Sequence, residues 1–165
     1  MTASPFRGLP LSLPAIAALP VGELVAPGGA VLLWCTWPLV ATGAHVEILR
    51  GWGFPAVTGG AWAKRTRTGR LRWGPGYVVR SVCEPWLIGL APGAGIRGSS
   101  VANLVETLTD ASLDGLAREH SRKPDAVFAM VEALTPGRRR LELFSRTDRP
   151  GWTSWGDQAG TWVAS

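Results

Sequence analysis

The stretch between residues 64 and 80 combines positive charge with aromatic rings, and it concentrates side chains capable of binding chemistry. No Asp or Glu occurs between Glu47 and Glu84. Lysine and arginine neutralise phosphates, and an aromatic face receives an unstacked base. The stretch therefore predicts a nucleic-acid interface, with a solvated flexible loop as the alternative. The candidate contact residues are Lys64, Arg65, Arg67, Arg70, Arg72, Trp73 and Tyr77, with Arg80 at the end of the run.

The overall charge agrees with this prediction. The chain has 17 basic and 12 acidic residues, a formal net charge of +5, which suits a polyanionic partner. Hydrophobic residues make up 46% of its 165 residues and charged ones 18%, which predicts one folded domain over residues 1–165. No apolar run approaches the roughly 20 residues that cross a bilayer, and no signal-peptide layout opens the chain. We therefore expect a cytoplasmic protein without a membrane partner.

The thiols and the imidazoles do not form a metal-binding pattern. Cys35 and Cys83 are two isolated cysteines, which is too few for a disulfide framework or a four-ligand site. His120 has no His or Cys at ligand spacing, so metal binding is not expected there. Two buried thiols are the favoured interpretation of the cysteines.

Short apolar runs between turn residues predict strands that alternate with helices. The predicted helices cover residues 39–50 and 124–134, and Pro124 and Pro136-Gly137 bound the second. A capped turn is predicted over residues 12–19, and a loop over 64–76. The predicted strands cover residues 31–34, 54–58, 61–63, 86–90 and 141–144. Such alternation favours an α/β fold with a mainly parallel sheet.

Between residues 19 and 158, the order of short motifs resembles the family of the eukaryotic messenger-RNA adenosine methyltransferase and its DNA-modifying relatives in bacteria and phages. Each motif is weak alone, whereas their order and spacing together are specific. The motifs are LWCT at 33–36, WGF at 52–54, WAK at 62–64, GY at 76–77, Glu84 followed by LIG at 87–89, EHSRKPD at 119–125, LELFSR at 141–146, PGW at 150–152 and WGDQ at 155–158.

The resemblance implies a Rossmann-like fold that binds S-adenosylmethionine. Arg146 lies just past a predicted strand, where α/β sheets bind ligands, and the resemblance assigns Arg146, Asp157 and Gln158 to the ribose and adenine of the cofactor. Lys123 at a predicted helix start is expected to hold the cofactor carboxylate, the alternative being a solvated lysine. Glu142 is expected to accept ribose hydrogen bonds or to orient Arg146, the alternative being a polar residue at an edge.

The family's catalytic motif, Asp-Pro-Pro-Trp, does not occur in this chain. In the family its carboxylate and a proline carbonyl accept hydrogen bonds from the adenine amine, while the aromatic ring stacks the extruded base. Glu84-Pro85-Trp86 is similar in composition but corresponds to a different family position, and Glu84 is grouped with the nucleic-acid contacts instead. The resemblance places the motif before the segment corresponding to residues 5–20, so the expected fold is incomplete at the N-terminus and no catalytic residue is assigned.

A second departure lies near the C-terminus. The family ends with Gly-Asn-Glu or Gly-Asn-Gln, whereas this chain has Gly156-Asp157-Gln158. An aspartate accepts a hydrogen bond from a ribose hydroxyl but cannot donate one as asparagine does. The departure therefore bears on the affinity for the cofactor.

Two functions follow from the resemblance. The first is adenine-N6 methylation, of DNA rather than RNA and in a bacterium or phage, with the catalytic motif encoded upstream or supplied separately. The second is an inactive subunit that presents nucleic acid to an active sister chain, and a truncated remnant is a further alternative. A sheet that lacks one strand exposes unpaired backbone, which predicts a homodimer or pairing with a sister methyltransferase subunit.

Overall fold

The computed structural model describes residues 11–76, 78–96, 100–108, 123–156, 159 and 162–163. Its elements are, in chain order, α1 (Leu13–Ala17), α2 (Val21–Leu24), β1 (Ala30–Trp34), α3 (Trp37–Ala41), α4 (Ala44–Gly51), β2 (Ala56–Arg65), β3 (Cys83–Leu90), β4 (Leu104–Leu108), α5 (Asp125–Leu134), β5 (Arg140–Leu143), β6 (Thr147–Asp148), β7 (Trp152–Trp155) and β8 (Trp162–Val163). None of the described helices is long and apolar enough to cross a membrane.

The main sheet has four strands in the order β1-β3-β2-β4. Strand β3 runs antiparallel to both β1 and β2, and only β2 and β4 form a parallel pair. The predicted α/β class is confirmed, but the mainly parallel sheet is wrong, since the sheet is mixed. The physical reason lies between residues 66 and 82, where the described chain contains no helix, and strands joined without a crossover helix pair antiparallel.

Helices α1, α2 and α4 cover one face of this sheet. On α4, His45, Ile48, Leu49 and Trp52 follow the spacing of one helical face and are buried, with Leu49 fully so. Ile48, Leu49 and Trp52 pack with Val21 and Phe54 against Val31, Leu33 and Leu87 of the sheet. Burial of each large apolar side chain contributes about 1.5–3 kcal/mol. Trp52 also donates to the Ala17 carbonyl at 3.0 Å, which anchors α1.

Helix α5 covers the opposite face. Val127, Met130, Val131 and Leu134 again follow helical spacing and pack against Trp62, Trp86 and Val105. Pro124 precedes the helix as its N-cap residue, which confirms the predicted start. The sheet therefore lies between two helical layers.

Several predicted boundaries differ from the structure. The helix predicted over 39–50 is two helices, because Gly43 adopts a left-handed φ of 77° between them. The strands predicted at 54–58 and 61–63 form one ten-residue strand, β2, which continues through Gly59-Gly60 to Arg65. Lys64 and Arg65 therefore belong to a strand, whereas the prediction placed them in a loop. Strands β4, β6, β7 and β8 were not predicted.

Candidate nucleotide-binding edge

One edge of the main sheet collects the ends of all four strands. Strands β1, β2 and β4 finish there at Trp34, Arg65 and Leu108, and the antiparallel β3 begins there at Cys83. The register places Trp62 opposite Glu84 on the neighbouring strand. Because side chains alternate along a strand, Trp62 and Lys64 project from the same face of β2, the face that α5 covers. This edge is therefore built by residues distant in sequence.

Glu84 holds two lysines at this edge. Lys64 Nζ lies 2.8 Å from Glu84 Oε1, and Lys123 Nζ lies 2.6 Å from Glu84 Oε2. All three side chains are between 24% and 33% exposed, so the pairs are only partly screened by water. Two ammonium groups and one carboxylate leave one net positive charge. Burial alone would raise the pKa of Glu84, but the hydrogen bonds from Lys123 and Lys64 outweigh it and hold that pKa below its usual value.

Two tryptophan rings lie beneath the lysines. Lys64 Nζ is 4.3 Å from the centroid of Trp62, and Lys123 Nζ is 4.5 Å from the centroid of Trp34. The two rings meet edge to face, with centroids 6.2 Å apart and planes at 72°. Cation–π attraction and the edge-to-face contact each stabilise such an arrangement by about 0.5–1.5 kcal/mol. The result is a positively charged edge that rests on two tryptophan rings, which suits an anionic group of a ligand.

A second group of candidate residues follows β5. At Phe144 the chain adopts a left-handed φ of 61°, and the Phe144 ring packs edge to face on Trp155 with centroids 5.5 Å apart. Immediately beyond this turn, buried Ser145 has its Oγ 2.7 Å from Glu142 Oε2 and 2.8 Å from the Thr147 carbonyl, and its single proton serves one of them at a time. Burial raises the pKa of the half-buried Glu142. A donor from a ligand would therefore stabilise the ionised form of Glu142.

The structure leaves Arg146 available and does not pair it with Glu142. Among the described residues, Arg146 has neither a hydrogen bond nor an ion pair, and it is half-buried. Glu142 instead uses Ser145, so the expected orientation of Arg146 by Glu142 is not seen. Asp157 and Gln158 lie outside the described residues, and their assignment to the cofactor stays a prediction.

The segment after β5 is tied to helix α5 by Arg149. Arg149 Nη1 donates to Asp125, and the guanidinium carbon lies 3.6 Å from the centroid of Phe128. Three residues beyond Arg149, Trp152 donates to Glu132 Oε1 at 2.7 Å and packs edge to face on Phe128 at 5.1 Å. The Lys123 end of α5 and the Arg146 segment are thereby joined.

The basic stretch divides into two environments. Lys64 turns inward to Glu84, while Arg65 pairs with Glu106 of β4 at 2.5 Å and donates to the Gly69 carbonyl at 2.9 Å. Arg67 and Arg70 are exposed and Arg72 is half-buried, all on the loop between β2 and β3. Trp73 is 60% exposed, and the Arg80 guanidinium lies 5.6 Å from its centroid. Tyr77 lies outside the described residues.

The structure brings together residues that the sequence analysis assigned to two different sites. Lys64 and Glu84, predicted with the nucleic-acid loop, join Lys123, predicted with the cofactor. Sequence reasoning missed Trp34, Trp62, Asp125 and Arg149 as contributors. The motif Trp62-Ala63-Lys64 could have indicated that Lys64 lies beside Trp62, since residues two apart on a strand share a face.

Among the described residues, the side-chain contacts of Lys64, Lys123 and Glu84 at this edge involve neither a thiol nor His45. Burial raises the pKa of Cys35 to about 11, and its thiol donates to the Leu33 carbonyl at 3.2 Å. His120 lies outside the described residues. No group of three or more His, Cys, Asp or Glu side chains is placed to hold a metal ion in the part of the chain that the structure describes.

The structure is an α/β domain with a mixed sheet and a positively charged edge, and comparison with known proteins gives its family. The family model MT-A70 matches residues 6–158. The chain therefore belongs to the MT-A70 family, and the resemblance found in the motifs is confirmed.

Individual relatives agree with this placement. The chain is 33% identical over 138 residues to an N(6)-adenosine-methyltransferase MT-A70-like protein of Arabidopsis thaliana, an alignment that covers 79% of this chain and 18% of that protein. It is 30% identical over 140 residues to the N(6)-adenosine-methyltransferase catalytic subunit METTL3 of Homo sapiens, covering 79% and 22%. It is 27% identical over 150 residues to the N6-methyladenosine RNA methyltransferase MTA1 of Cryphonectria parasitica, covering 87% and 41%. The chain thus spans between about a fifth and two fifths of these relatives.

Proposed function

We propose that this chain forms the cofactor-binding and nucleic-acid-binding part of an adenine-N6 methyltransferase, with S-adenosylmethionine as the methyl donor. Membership of the MT-A70 family supports the reaction class. The observation that carries the proposal is the meeting of Lys64 and Lys123 on Glu84 above Trp34 and Trp62, at the edge where the strands end. This edge offers a net positive charge to the carboxylate of a ligand, at the strand ends where α/β sheets bind ligands.

The described residues fit the cofactor in chemistry. An ammonium has three N–H donors, and Glu84 occupies one donor of Lys123, so Lys123 can also bind the cofactor carboxylate. Burial raises the pKa of Glu142, and hydrogen bonds donated by two ribose hydroxyls would stabilise its ionised form. Arg146 supplies a planar donor from the same segment. When bound, the cofactor supplies an electrophilic methyl group, and the residues of this chain hold and orient it.

The substrate is an adenine in nucleic acid. DNA of a bacterium or phage is the substrate favoured in the sequence analysis, but the Cryphonectria relative is named for RNA and the other two for adenosine. These names lend no support to DNA, and RNA is the substrate that we propose to test first. A matched pair of single-stranded oligonucleotides, one RNA and one DNA of the same sequence, distinguishes the two.

Calorimetric titration of S-adenosylmethionine into the purified chain tests the cofactor. Micromolar binding is expected, and Lys123→Met should weaken it at least about ten-fold because a charge-assisted hydrogen bond contributes roughly 1.5–3 kcal/mol. Arg50→Met is the control, since Arg50 pairs with Glu47 on the surface of α4. A folded chain that does not bind the cofactor would overturn this part of the proposal.

An inactive nucleic-acid-binding subunit beside a sister methyltransferase is the second candidate. The exposed basic loop favours it, together with the absence of Asp-Pro-Pro from these 165 residues. Replacing Arg67, Arg70 and Arg72 together by Gln should reduce the slope of log affinity against log salt by about 2 for a single strand if all three contact phosphates. Trp73→Ala should weaken binding by about 1–3 kcal/mol if a base stacks on this ring.

The transfer of a labelled methyl group separates the two candidates. Oligonucleotide binding with methyl transfer supports the enzyme, and binding without transfer, even at saturating cofactor, supports the inactive subunit. No binding to either oligonucleotide at low salt would contradict both.

A further inference from the structure

Arg149 is a buried charge outside the cofactor contacts proposed above. Its side chain is only 8% exposed, its Nη1 donates to Asp125, and its guanidinium stacks 3.6 Å from the Phe128 centroid. Asp125 opens α5, and Phe128 follows one turn later. Arg149 thus contacts a helix whose other face packs against the sheet.

The contact continues along that helix face. Asp125, Phe128 and Glu132 are three and four residues apart, which places them in one row. Trp152 of β7 donates to Glu132 at 2.7 Å and packs on Phe128. These side chains attach the segment from β5 to β7 to α5, with Arg149 nearest the N-terminal end of the helix.

The two ends of this attachment carry the proposed cofactor contacts. Lys123 is two residues before Asp125, and Arg146 is three residues before Arg149. The ion pair between Asp125 and Arg149 therefore fixes the separation of the two chain segments that a bound cofactor must span. Among the described residues, the other side-chain hydrogen bonds from this part of the chain to α5 and its C-cap are those of Trp152 and the more distant Arg140.

Stability alone explains Arg149 poorly. This ion pair contributes little net stability, because water screens the 44% exposed Asp125 while the Arg149 guanidinium is removed from water. In addition, the Nε of Arg149 is buried without a hydrogen-bond partner among the described residues, and an unsatisfied buried donor is costly. A methionine would fill a similar volume over Phe128 without that cost.

We propose that Arg149 is a positioning residue, which holds the Arg146 segment at a fixed distance from Lys123 so that both can contact one cofactor molecule. The inference rests on the proposed function for its ligand, but the geometry that it describes exists without the ligand. Geometry and ligand binding can therefore be tested separately.

The first test measures the geometry. Spin labels are placed on Ala126→Cys in α5 and Asp148→Cys in β6, two exposed positions on the segments that Arg149 joins, in a background with Cys35→Ala and Cys83→Ser. Arg149→Met should broaden the distance distribution between the labels, and Arg149→Lys should broaden it less because it keeps the charge. Arg50→Met is the control. An unchanged distribution in Arg149→Met would overturn the inference whatever the ligand.

The second test measures binding of the whole cofactor product and of its parts. S-adenosylhomocysteine, adenosine and methionine are titrated separately, since only the first spans both segments. Arg149→Met should weaken the binding of S-adenosylhomocysteine by about ten- to a hundred-fold, because one contact with the ligand is then misplaced relative to the other. Adenosine and methionine should bind as in the parent chain. Equal weakening of all three ligands would indicate a general structural role and overturn the inference.

A double-mutant cycle completes the test. Asp125→Asn should reproduce the loss, and the double variant should be no weaker than either single variant, because both act through one contact. Additive losses would contradict the inference. If the parent chain binds none of the three ligands while the label distances respond to Arg149→Met, the proposed function fails and the geometric part of the inference stands.

Discussion

Lys64 and Lys123 bind opposite oxygens of one carboxylate, at 2.8 and 2.6 Å, although 59 positions separate them in the sequence (123 minus 64). Lys64 comes from strand β2, Lys123 from the segment before α5, and the shared Glu84 from β3. Each lysine also lies over a tryptophan ring. Glu84 therefore ties the sheet to the N-terminal end of α5, and its removal should affect stability and ligand binding in different ways.

Glu84→Gln keeps the shape of the side chain and removes its charge. Two ammonium groups would then face each other without a counter-ion, and we expect a loss of about 1–2 kcal/mol in the free energy of unfolding, less than for fully buried pairs because water screens this site. Urea unfolding at pH 7 measures the loss. Glu106→Gln is the matched control, since its partner Arg65 is more exposed, and the expected loss is below about 1 kcal/mol. Equal losses in the two variants would contradict the special role of Glu84.

The same carboxylate predicts an acid-dependent stability. Because the folded-state pKa of Glu84 lies below its ordinary value, the unfolded chain takes up a proton first as the pH falls. The contribution of Glu84 to stability is therefore fully present above about pH 4.5 and is lost as the pH falls through the folded-state pKa. Unfolding curves between pH 7 and pH 3 should show a smaller decline in Glu84→Gln than in the parent chain. An identical decline would show that other carboxylates account for the acid sensitivity.

Gly60 allows two elements to approach strand β2 closely. A Cβ atom at this position would lie 2.0 Å from the Asn103 carbonyl oxygen and 2.2 Å from Cζ2 of the buried Trp86. Gly60→Ala must therefore displace backbone or a core ring, and we expect a loss of about 2–4 kcal/mol in the free energy of unfolding. Gly51→Ala is the control, because a Cβ there meets no atom within 4 Å, and it should be neutral or stabilising. Thermal unfolding of both variants measures the difference.

The elements of this fold that the sequence predicts correctly are those specified by the pattern of neighbouring residues. The periodicity from residue 124 to 134 and its flanking prolines specify α5, and the apolar run at 31–34 specifies most of β1. The sheet order could not be obtained in this way, since it depends on which strands pair at long range. The sequence between residues 64 and 86 has no helical pattern, however. Because parallel neighbouring strands need a crossover connection that is usually a helix, this absence indicates that β2 and β3 pair antiparallel.

The sequence identifies the residues of the candidate site but does not predict that they lie together. Lys64, Glu84 and Lys123 were all identified, but the sequence places Lys64 and Glu84 with the basic stretch and Lys123 with the cofactor. The two sets are joined by the ion pair between Lys123 and Glu84, which depends on where α5 packs against the sheet. Arg149 gave no local signal, because its partner Asp125 is 24 residues away and belongs to another element.

His45 should give the protein a second, milder pH dependence. The imidazole is 6% exposed, its Nδ1 has no partner among the described residues, and burial lowers its pKa from 6.5. As the pH falls below about 6.5 the unfolded chain binds a proton that the folded chain resists, so stability is lost in that range. His45→Leu should remove the decline between pH 7 and pH 5, as measured by urea unfolding. The other histidine provides the control, and a decline that disappears in His120→Asn instead would contradict the assignment.

Cys35 should be inert toward thiol reagents until the protein unfolds. The thiolate is the reactive form, and burial raises the pKa of Cys35 to about 11, so about one thousandth of it is ionised at pH 8 before access is considered. In a Cys83→Ser background, Cys35 is the single remaining thiol, and a disulfide-exchange reagent should react with it at a rate that follows global unfolding. Adding urea below the transition should then accelerate the reaction in proportion to the unfolded fraction. Rapid labelling in the absence of urea would show that the β1 end of the sheet opens locally, and that the edge carrying Trp34 is less stable than the core on which it rests.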